Sequence, residues 1–176
     1  MNGTDSPTIT PSHEENWQPV EDTFSRADHC NIPIVRSPRE YRAYRISPQD
    51  KNYLAIVFDP SLTATSLTLC VEVFTPGGQT PIHRHQIAVE MFFVLKGEGI
   101  AFCDGKRVRL RTGDSLLVPP TGIHQIVNNS SERLYLLCFM VPNEDFVELI
   151  RSGTPVPLDE ADLSVLSRTD GWVQTL

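Results

Sequence analysis

The chain has 176 residues and a mass of 19.7 kDa, and 15 Lys and Arg against 22 Asp and Glu leave a net charge of −7. This acidic balance, with no local cluster of Lys or Arg, argues against nucleic acid or an anionic membrane surface as a partner. The length is typical of one domain. No apolar run approaches the roughly 18 residues that a membrane-spanning helix needs, so we expect no membrane partner.

The N-terminal segment and the cysteines indicate the setting of the protein. Residues 1–28 are rich in Ser, Thr, Pro and acids and have little apolar periodicity, so we expect a polar N-terminal tail or a strap laid over the domain. They lack the basic start and apolar centre of a signal peptide. The cysteines are widely spaced and form no CxxC pair, which predicts reduced thiols and a cytoplasmic location. They are Cys30, Cys70, Cys103 and Cys138.

Short strand-like runs follow, separated by Gly, Pro and Asp and rich in β-branched and aromatic residues. Between two of them, Asp104-Gly105 is a strong signal for a two-residue hairpin turn. The close spacing of the runs predicts an all-β fold, an antiparallel sandwich or barrel. The predicted strands are 54–58, 67–74, 91–95, 100–103, 107–110, 115–118, 124–127 and 134–141.

Beyond Pro142 the pattern becomes helical. Residues 143–150 begin with the capping residue Asn143 and acids in the first turn, and 159–166 has the same style. We therefore expect two short helices packed outside the sheets. The predicted organisation is a tail at 1–28, a barrel with its N-terminal strands at 29–142, and a C-terminal helical extension at 143–176.

Three of the five histidines and one glutamate give the clearest chemical signal. His83 and His85 are two residues apart, so on a strand both imidazoles would face the same side. Glu90 follows five residues later, where a neighbouring strand could present its carboxylate to the same point. His124 lies on a later strand and could complete the set. These residues predict one metal ion with three imidazole ligands and one carboxylate ligand.

Such a ligand set leaves one or two coordination positions open, which is typical of a catalytic rather than a structural metal. Imidazole and carboxylate together suit Fe(II), Mn, Ni, Co or Zn. Structural zinc is disfavoured because no thiolate closes the site. The ligands alone do not select among these ions.

The same segments resemble the cupin superfamily, of the small single-domain (monocupin) type. The first cupin motif, G-x5-H-x-H-x4-E-x6-G, is reproduced by Gly77, His83, His85, Glu90 and Gly97. The second motif, G-x5-P-x-G-x2-H-x3-N, is matched by Gly113, Pro119, His124 and Asn128. Thr121 stands where this motif has glycine, with Gly122 one place later, so we expect a slightly shifted turn before His124.

This resemblance covers roughly residues 50–142 and implies a small double-stranded β-barrel of the jelly-roll type. It further implies a metal ion in the barrel interior and, often, a homodimer. It implies no single reaction, because cupins include dioxygenases, isomerases, epimerases, decarboxylases, lyases, sensors and storage proteins.

Strand alternation predicts which side chains line a pocket beside the metal. Residues two and four positions after Glu90 and His124 share the inward face, whereas Arg84, between two ligands, should face outward. No Lys or Arg can be placed inward, so we expect a small, largely apolar or aromatic organic substrate. The pocket or ligand-supporting candidates are Gln79, Phe92, Val94, Ile126 and Asn128. Of these, Gln79 and Asn128 could either orient an imidazole or bond turn backbone.

The leading hypothesis is a mononuclear metalloenzyme of the dioxygenase type, with Fe(II) favoured and Glu90 acting as a catalytic base. Substrate and O₂ would take the open coordination positions. One alternative is an O₂-independent isomerase or lyase in which the metal acts as a Lewis acid. The other is a non-enzymatic sensor or binding protein for a small ligand.

Overall fold

A computed structural model describes residues 33–63 and 65–167, and within them the chain forms ten strands and three short α-helices. A 3-10 turn at Pro38–Glu40 precedes the first strand. The predicted tail at 1–28 lies outside the described residues, as do His13, His29 and Cys30. The strands are β1 (Arg42–Arg45), β2 (Asn52–Phe58), β3 (Thr68–Phe74), β4 (Val89–Lys96), β5 (Glu98–Cys103), β6 (Lys106–Arg111), β7 (Ser115–Val118), β8 (His124–Val127), β9 (Leu134–Val141) and β10 (Thr154–Val156). The helices are α1 (Pro60–Thr63), α2 (Phe146–Arg151) and α3 (Glu160–Leu166).

The strands form two antiparallel sheets. One has seven strands in the order β10-β1-β2-β3-β9-β4-β7, and the other has three in the order β6-β5-β8. Their facing surfaces share one apolar core, in which Leu54 and Phe92 of the larger sheet meet Ala101 and Ile126 of the smaller. This arrangement confirms the predicted double-stranded β-barrel of the jelly-roll class.

Each of the eight predicted strands is present with small differences at its ends. The Asp104-Gly105 hairpin is also confirmed, since both residues have positive φ angles, 46° and 76°, as a tight turn between β5 and β6 requires. Two strands were missed. β1 has only four residues, with an arginine at each end and no β-branched side chain, and β10 is only three residues long and contains Pro155.

Both C-terminal helices are present, but the first begins later than predicted. α2 begins at Phe146, and Asn143 lies before the turn, where its Oδ1 accepts a hydrogen bond from the Val147 N–H at 3.0 Å. Asp159 caps α3 by accepting from the Asp162 N–H. Tyr53 and Tyr135 each donate a hydrogen bond to the buried Asp162 carboxylate, which fixes α3 against the outer face of the larger sheet.

No helix in the described part of the chain is long and apolar enough to cross a membrane. The three cysteines within the described ranges, Cys70, Cys103 and Cys138, are free thiols. Cys70 and Cys138 are buried neighbours on β3 and β9.

Candidate metal centre

The four predicted ligands come together at one end of the barrel interior. Glu90 lies on β4 and His124 on β8, while His83 and His85 lie on the connection between β3 and β4. One ligand atom from each residue lies within 4.8 Å of those of the other three. Glu90 and His124 are buried, whereas His83 and His85 are half-buried, so the cluster is open to solvent on the side of His83 and His85.

His83 and His85 lie outside the named strands, so the same-side geometry expected for a strand does not explain their approach. His83 makes only an isolated bridge, in which the backbone N–H of His83 and that of His124 each donate to the other's carbonyl at 3.1 and 2.8 Å. His85 lies in the following loop, where its carbonyl accepts from the Thr121 N–H at 2.7 Å. These backbone bonds replace strand geometry in bringing the imidazoles together.

The turn before His124 accommodates the threonine that departs from the cupin motif. Thr121 has a φ of 67°, the left-handed conformation that favours glycine, and thus adopts the backbone of the residue that it replaces. A Cβ at Gly122 would lie 3.1 Å from the Pro119 carbonyl oxygen, a tight contact that favours glycine here. His124 still reaches the cluster.

Two histidines have their ring tautomers fixed by backbone carbonyls. Nδ1 of His83 lies 2.9 Å from the Pro81 oxygen, and Nδ1 of His124 lies 3.0 Å from the Gly122 oxygen. A carbonyl oxygen only accepts, so each Nδ1 carries the hydrogen. In the neutral imidazole, Nε2 is then unprotonated, and its lone pair is available to bind a metal ion. This is the arrangement that orients histidine ligands at metal sites.

The contacts around Glu90 favour a cation at the centre of the cluster. Its Oε2 lies 2.9 Å from His124 Nε2 and 3.1 Å from His85 Nε2. A carboxylate oxygen and an unprotonated Nε2 are both acceptors, so this approach requires a proton or a metal ion between them. Ligand atoms about 2.1 Å from one ion at right angles are about 3 Å apart, and the observed separations fit this spacing.

The electrostatics of the cluster follow from burial and from these contacts. Burial alone would raise the pKa of Glu90, but its hydrogen bonds to His124 and His85 outweigh burial and hold the pKa at about 2. Burial lowers the pKa of His83. Burial also acts to lower the pKa of His124, but the bond to Glu90 reverses the direction and raises it. The cluster thus contains one firmly ionised carboxylate.

Two neighbouring side chains support the ligands. The Cys138 thiol donates to Glu90 Oε1 at 3.2 Å, which leaves Oε2 for the imidazoles. Glu144 accepts from the backbone N–H groups of Gln86 and Ala88 at 2.7 and 3.0 Å and so holds the loop between His85 and Glu90. Glu144 and Asp145 have φ angles of 48° and 61°, an uncommon conformation that places this carboxylate against the loop.

A cavity of about 680 Å³ adjoins the cluster and is large enough for a small organic molecule. Two of the pocket candidates, Phe92 and Gln79, line it, and Arg84 is exposed. The other pocket candidates lie elsewhere. Val94 and Ile126 belong to the closed apolar core. Asn128 bonds backbone carbonyls, including that of Phe74 at 3.0 Å, and does not orient an imidazole.

Polar residues that the sequence did not reveal also line this cavity. Lys51 and Asp50 lie at its edge, and Asn52 and the buried Glu72 lie within its wall. The expectation of a pocket without Lys is therefore incorrect. In the sequence, Glu72 is the single acid within the apolar run 67–74. The direction of its side chain could not be predicted, because the sequence does not show which face of β3 is turned toward the barrel interior. Leu149 and Phe146 of α2 also line the cavity, although this helix was predicted only to pack.

Residues 70–140 match the family model of the cupin domain. With the jelly-roll barrel and the interior cluster of three histidines and one glutamate, this match defines the class, a β-barrel built around a candidate metal centre. The part of the chain from 70 to 140 is therefore a cupin domain.

Comparison with curated proteins finds similarity to several functionally named relatives, among them a dioxygenase and an auxin-binding protein. The chain is 33% identical over 72 residues to gentisate 1,2 dioxygenase 1 of Aquipseudomonas alcaligenes, which covers 41% of this chain and 21% of that protein. It is 24% identical over 121 residues to auxin-binding protein T92 of Nicotiana tabacum, covering 61% and 64%. The chain thus spans less than two thirds of the length of each.

Among solved structures, the barrel is similar to the crystal structure of a predicted oxalate decarboxylase from Thermotoga maritima. The TM-score is 0.58 and the sequence identity 22%, and the match covers 62% of this chain and 99% of that chain. At this identity the likeness concerns the fold alone.

Proposed function

We propose that this cupin is a mononuclear metalloenzyme of the dioxygenase type that acts on a small, largely apolar or aromatic organic molecule. The observation that carries the proposal is a complete set of three imidazoles and one carboxylate beside a cavity of about 680 Å³. Similarity to a gentisate dioxygenase supports the reaction class. A metal with open positions is the arrangement that catalytic rather than structural sites use.

Fe(II) is the proposed ion, and Mn, Ni, Co or Zn are compatible with the same ligands. His83, His85, Glu90 and His124 would hold it, and when bound it would supply coordination sites for substrate and O₂.

The protein's own side chains orient the substrate and exclude water. Phe92, Leu54 and Phe146 form apolar walls, and the ring of Phe146 lies 6.4 Å from that of His85. Glu90 acts first as an anionic ligand, because a pKa of about 2 makes it a weak base at neutral pH. It becomes a stronger base once its carboxylate moves away from the two imidazoles.

The test is anaerobic loading of the full chain with Fe(II), followed by oxygen-electrode assays with phenolic, thiol and dicarbonyl compounds. We expect oxygen uptake with members of one class and none from a His124→Ala variant treated in the same way. Absence of uptake with every compound would contradict a dioxygenase.

Similarity to an auxin-binding protein favours a second candidate, a non-enzymatic protein that binds a small ligand at the same site. It predicts a higher melting temperature in the presence of the ligand, without turnover. An O₂-independent isomerase or lyase would instead convert a substrate with Zn or Ni bound. Product analysis under anaerobic conditions separates these two outcomes.

A homodimer is also proposed, through the outer face of β4 and its neighbours. Met91 pairs with Leu117 on β7 and with Phe139 on β9, which forms an apolar row across the sheet. Leu117 is 59% exposed and Phe93 42%. Exposed apolar surface of this kind is typical of contact sites. The free thiols in the described ranges support a cytoplasmic location.

Light scattering on a size-exclusion column tests the dimer. We expect twice the chain mass for the wild type and the chain mass for Leu117→Glu. Val108→Glu, at a 40% exposed position on the smaller sheet, should remain dimeric. A monomeric wild type would contradict the dimer.

A further inference from the structure

The cavity beside the metal cluster contains a second polar corner, formed by Asn52 at the start of β2 and Glu72 on β3. Leu54 and Cys70 lie two residues from Asn52 and Glu72 on the same strands and belong to the inner core. Because side chains alternate along a strand, Asn52 and Glu72 also face the barrel interior. Asn52 is 6% exposed and Glu72 is 4% exposed. The two lie in the wall of the cavity that also contacts His83, His85 and Glu90.

The two side chains share one hydrogen bond, but this bond does not give every polar atom of the pair a partner. Asn52 Nδ2 donates to Glu72 Oε1 at 2.6 Å. Among the described residues, Asn52 Oδ1 is buried and has no hydrogen-bond partner. If the amide were turned round, its nitrogen would be left unpartnered instead. Buried polar atoms in folded proteins almost always have a partner, so an unpaired one in a cavity wall is a candidate to bind a polar group in that cavity.

Burial also determines the charge of this corner. It raises the pKa of Glu72 to about 8, although the bond from Asn52 acts in the opposite direction. At neutral pH the side chain is then a carboxylic acid whose second oxygen can donate a hydrogen bond. Asn52 Oδ1 accepts one. A hydroxyl group, which both donates and accepts, is complementary to this pair.

We infer that Asn52 and Glu72 form a second anchor of the active site, which binds an uncharged hydroxyl group at the end of the substrate remote from the metal cluster. This inference rests on the proposed function. It narrows the substrate class to hydroxylated molecules that carry a metal-binding group at the opposite end, with apolar atoms between the two. Phe92 and Leu54 would contact those apolar atoms.

The test uses two probe ligands with the same metal-binding end. Salicylate (2-hydroxybenzoate) and gentisate (2,5-dihydroxybenzoate) share a carboxylate and a neighbouring hydroxyl, and only gentisate has a further hydroxyl across the ring. Both are titrated by calorimetry into the full chain loaded with Co(II) at pH 6.5. The visible absorption of Co(II) reports whether each probe reaches the metal.

For the wild type we expect gentisate to bind about fivefold to tenfold more tightly than salicylate, the effect of one added buried hydrogen bond. The Asn52→Leu/Glu72→Met double variant replaces both polar partners with apolar groups of similar size, which is the form of this change most compatible with folding. It should bind both probes equally and retain its cobalt. Glu72→Gln, which stays neutral and can still donate and accept, should keep the preference for gentisate.

Equal binding of the two probes by the wild type, or an unchanged preference in the double variant, would overturn the second anchor and leave the metal centre standing. Failure of salicylate to alter the Co(II) spectrum of the loaded protein would overturn the proposed function, and the anchor with it.

Discussion

Two buried glutamates line one cavity and differ in charge at neutral pH, since Glu90 is ionised and Glu72 is protonated. Glu90 is 3% exposed and Glu72 is 4% exposed, so both experience a similar loss of solvation. Two imidazoles lie against Glu90 and hold its pKa at about 2. Among the described residues, the hydrogen-bond partner of Glu72 is a neutral amide. Burial raises the pKa of Glu72 to about 8, and the negative charges of Glu90 and Asp50 act in the same direction.

The difference shows that partners, rather than burial, decide which carboxyl group is charged. The consequence is a division of the cavity into an anionic corner suited to a cation and a neutral corner suited to a polar but uncharged group. Separation of this kind, in which neighbouring titratable groups have divergent pKa values, is typical of functional sites.

Removing an imidazole ligand from the anionic corner should have the largest effect on metal binding. His124→Ala and His83→Ala delete a ligand and should reduce bound metal from about one ion per chain to less than a tenth of that, as measured by elemental analysis. Arg84→Ala is the matched control, since this exposed side chain lies between two ligands in sequence. Equal metal content in all four proteins would show that the ligand assignment is wrong.

Loosening the loop that carries His85 should weaken the same corner less. Glu144→Ala removes the acceptor for three backbone N–H groups at residues 86–88, so metal affinity should fall about tenfold without loss of the fold. Competition with a chelator measures the affinity, and Glu160→Gln on α3 is the control. An affinity within twofold of the wild type would mean that the loop is held by other contacts.

The protonated carboxyl group of Glu72 in the neutral corner should make the free energy of unfolding depend on pH. Between pH 4.5, the ordinary pKa of a glutamate, and about 8, folded Glu72 retains a proton that the unfolded chain has released. Stability contributed by this site therefore falls as the pH rises through that window. Glu72→Gln cannot ionise, so relative to the wild type it should gain at least about 1 kcal/mol between pH 5 and pH 8.

Urea unfolding at both pH values measures this gain. Glu132→Gln, at an exposed position, should show no change with pH. A constant difference between Glu72→Gln and the wild type would mean that Glu72 is already ionised at pH 5 and that the two corners do not differ in charge.

The sequence predicted the parts of this site that depend on local spacing. Four ligands could be named because their separations match a known motif, and β4 alternates strictly enough to place Phe92 inward. It could not predict the neutral corner, because Asn52 and Glu72 meet only through the pairing of β2 with β3. Glu144 was missed for a similar reason, as it contacts residues more than 50 positions earlier in the chain.

Elemental analysis of the native, untagged protein, purified without added metal, tests the central claim most directly. We predict about one transition metal ion per chain, with iron predominant, held by His83, His85, Glu90 and His124. A preparation that carries no metal and fails to bind Fe(II), Mn, Co, Ni or Zn when these are added near neutral pH would contradict it.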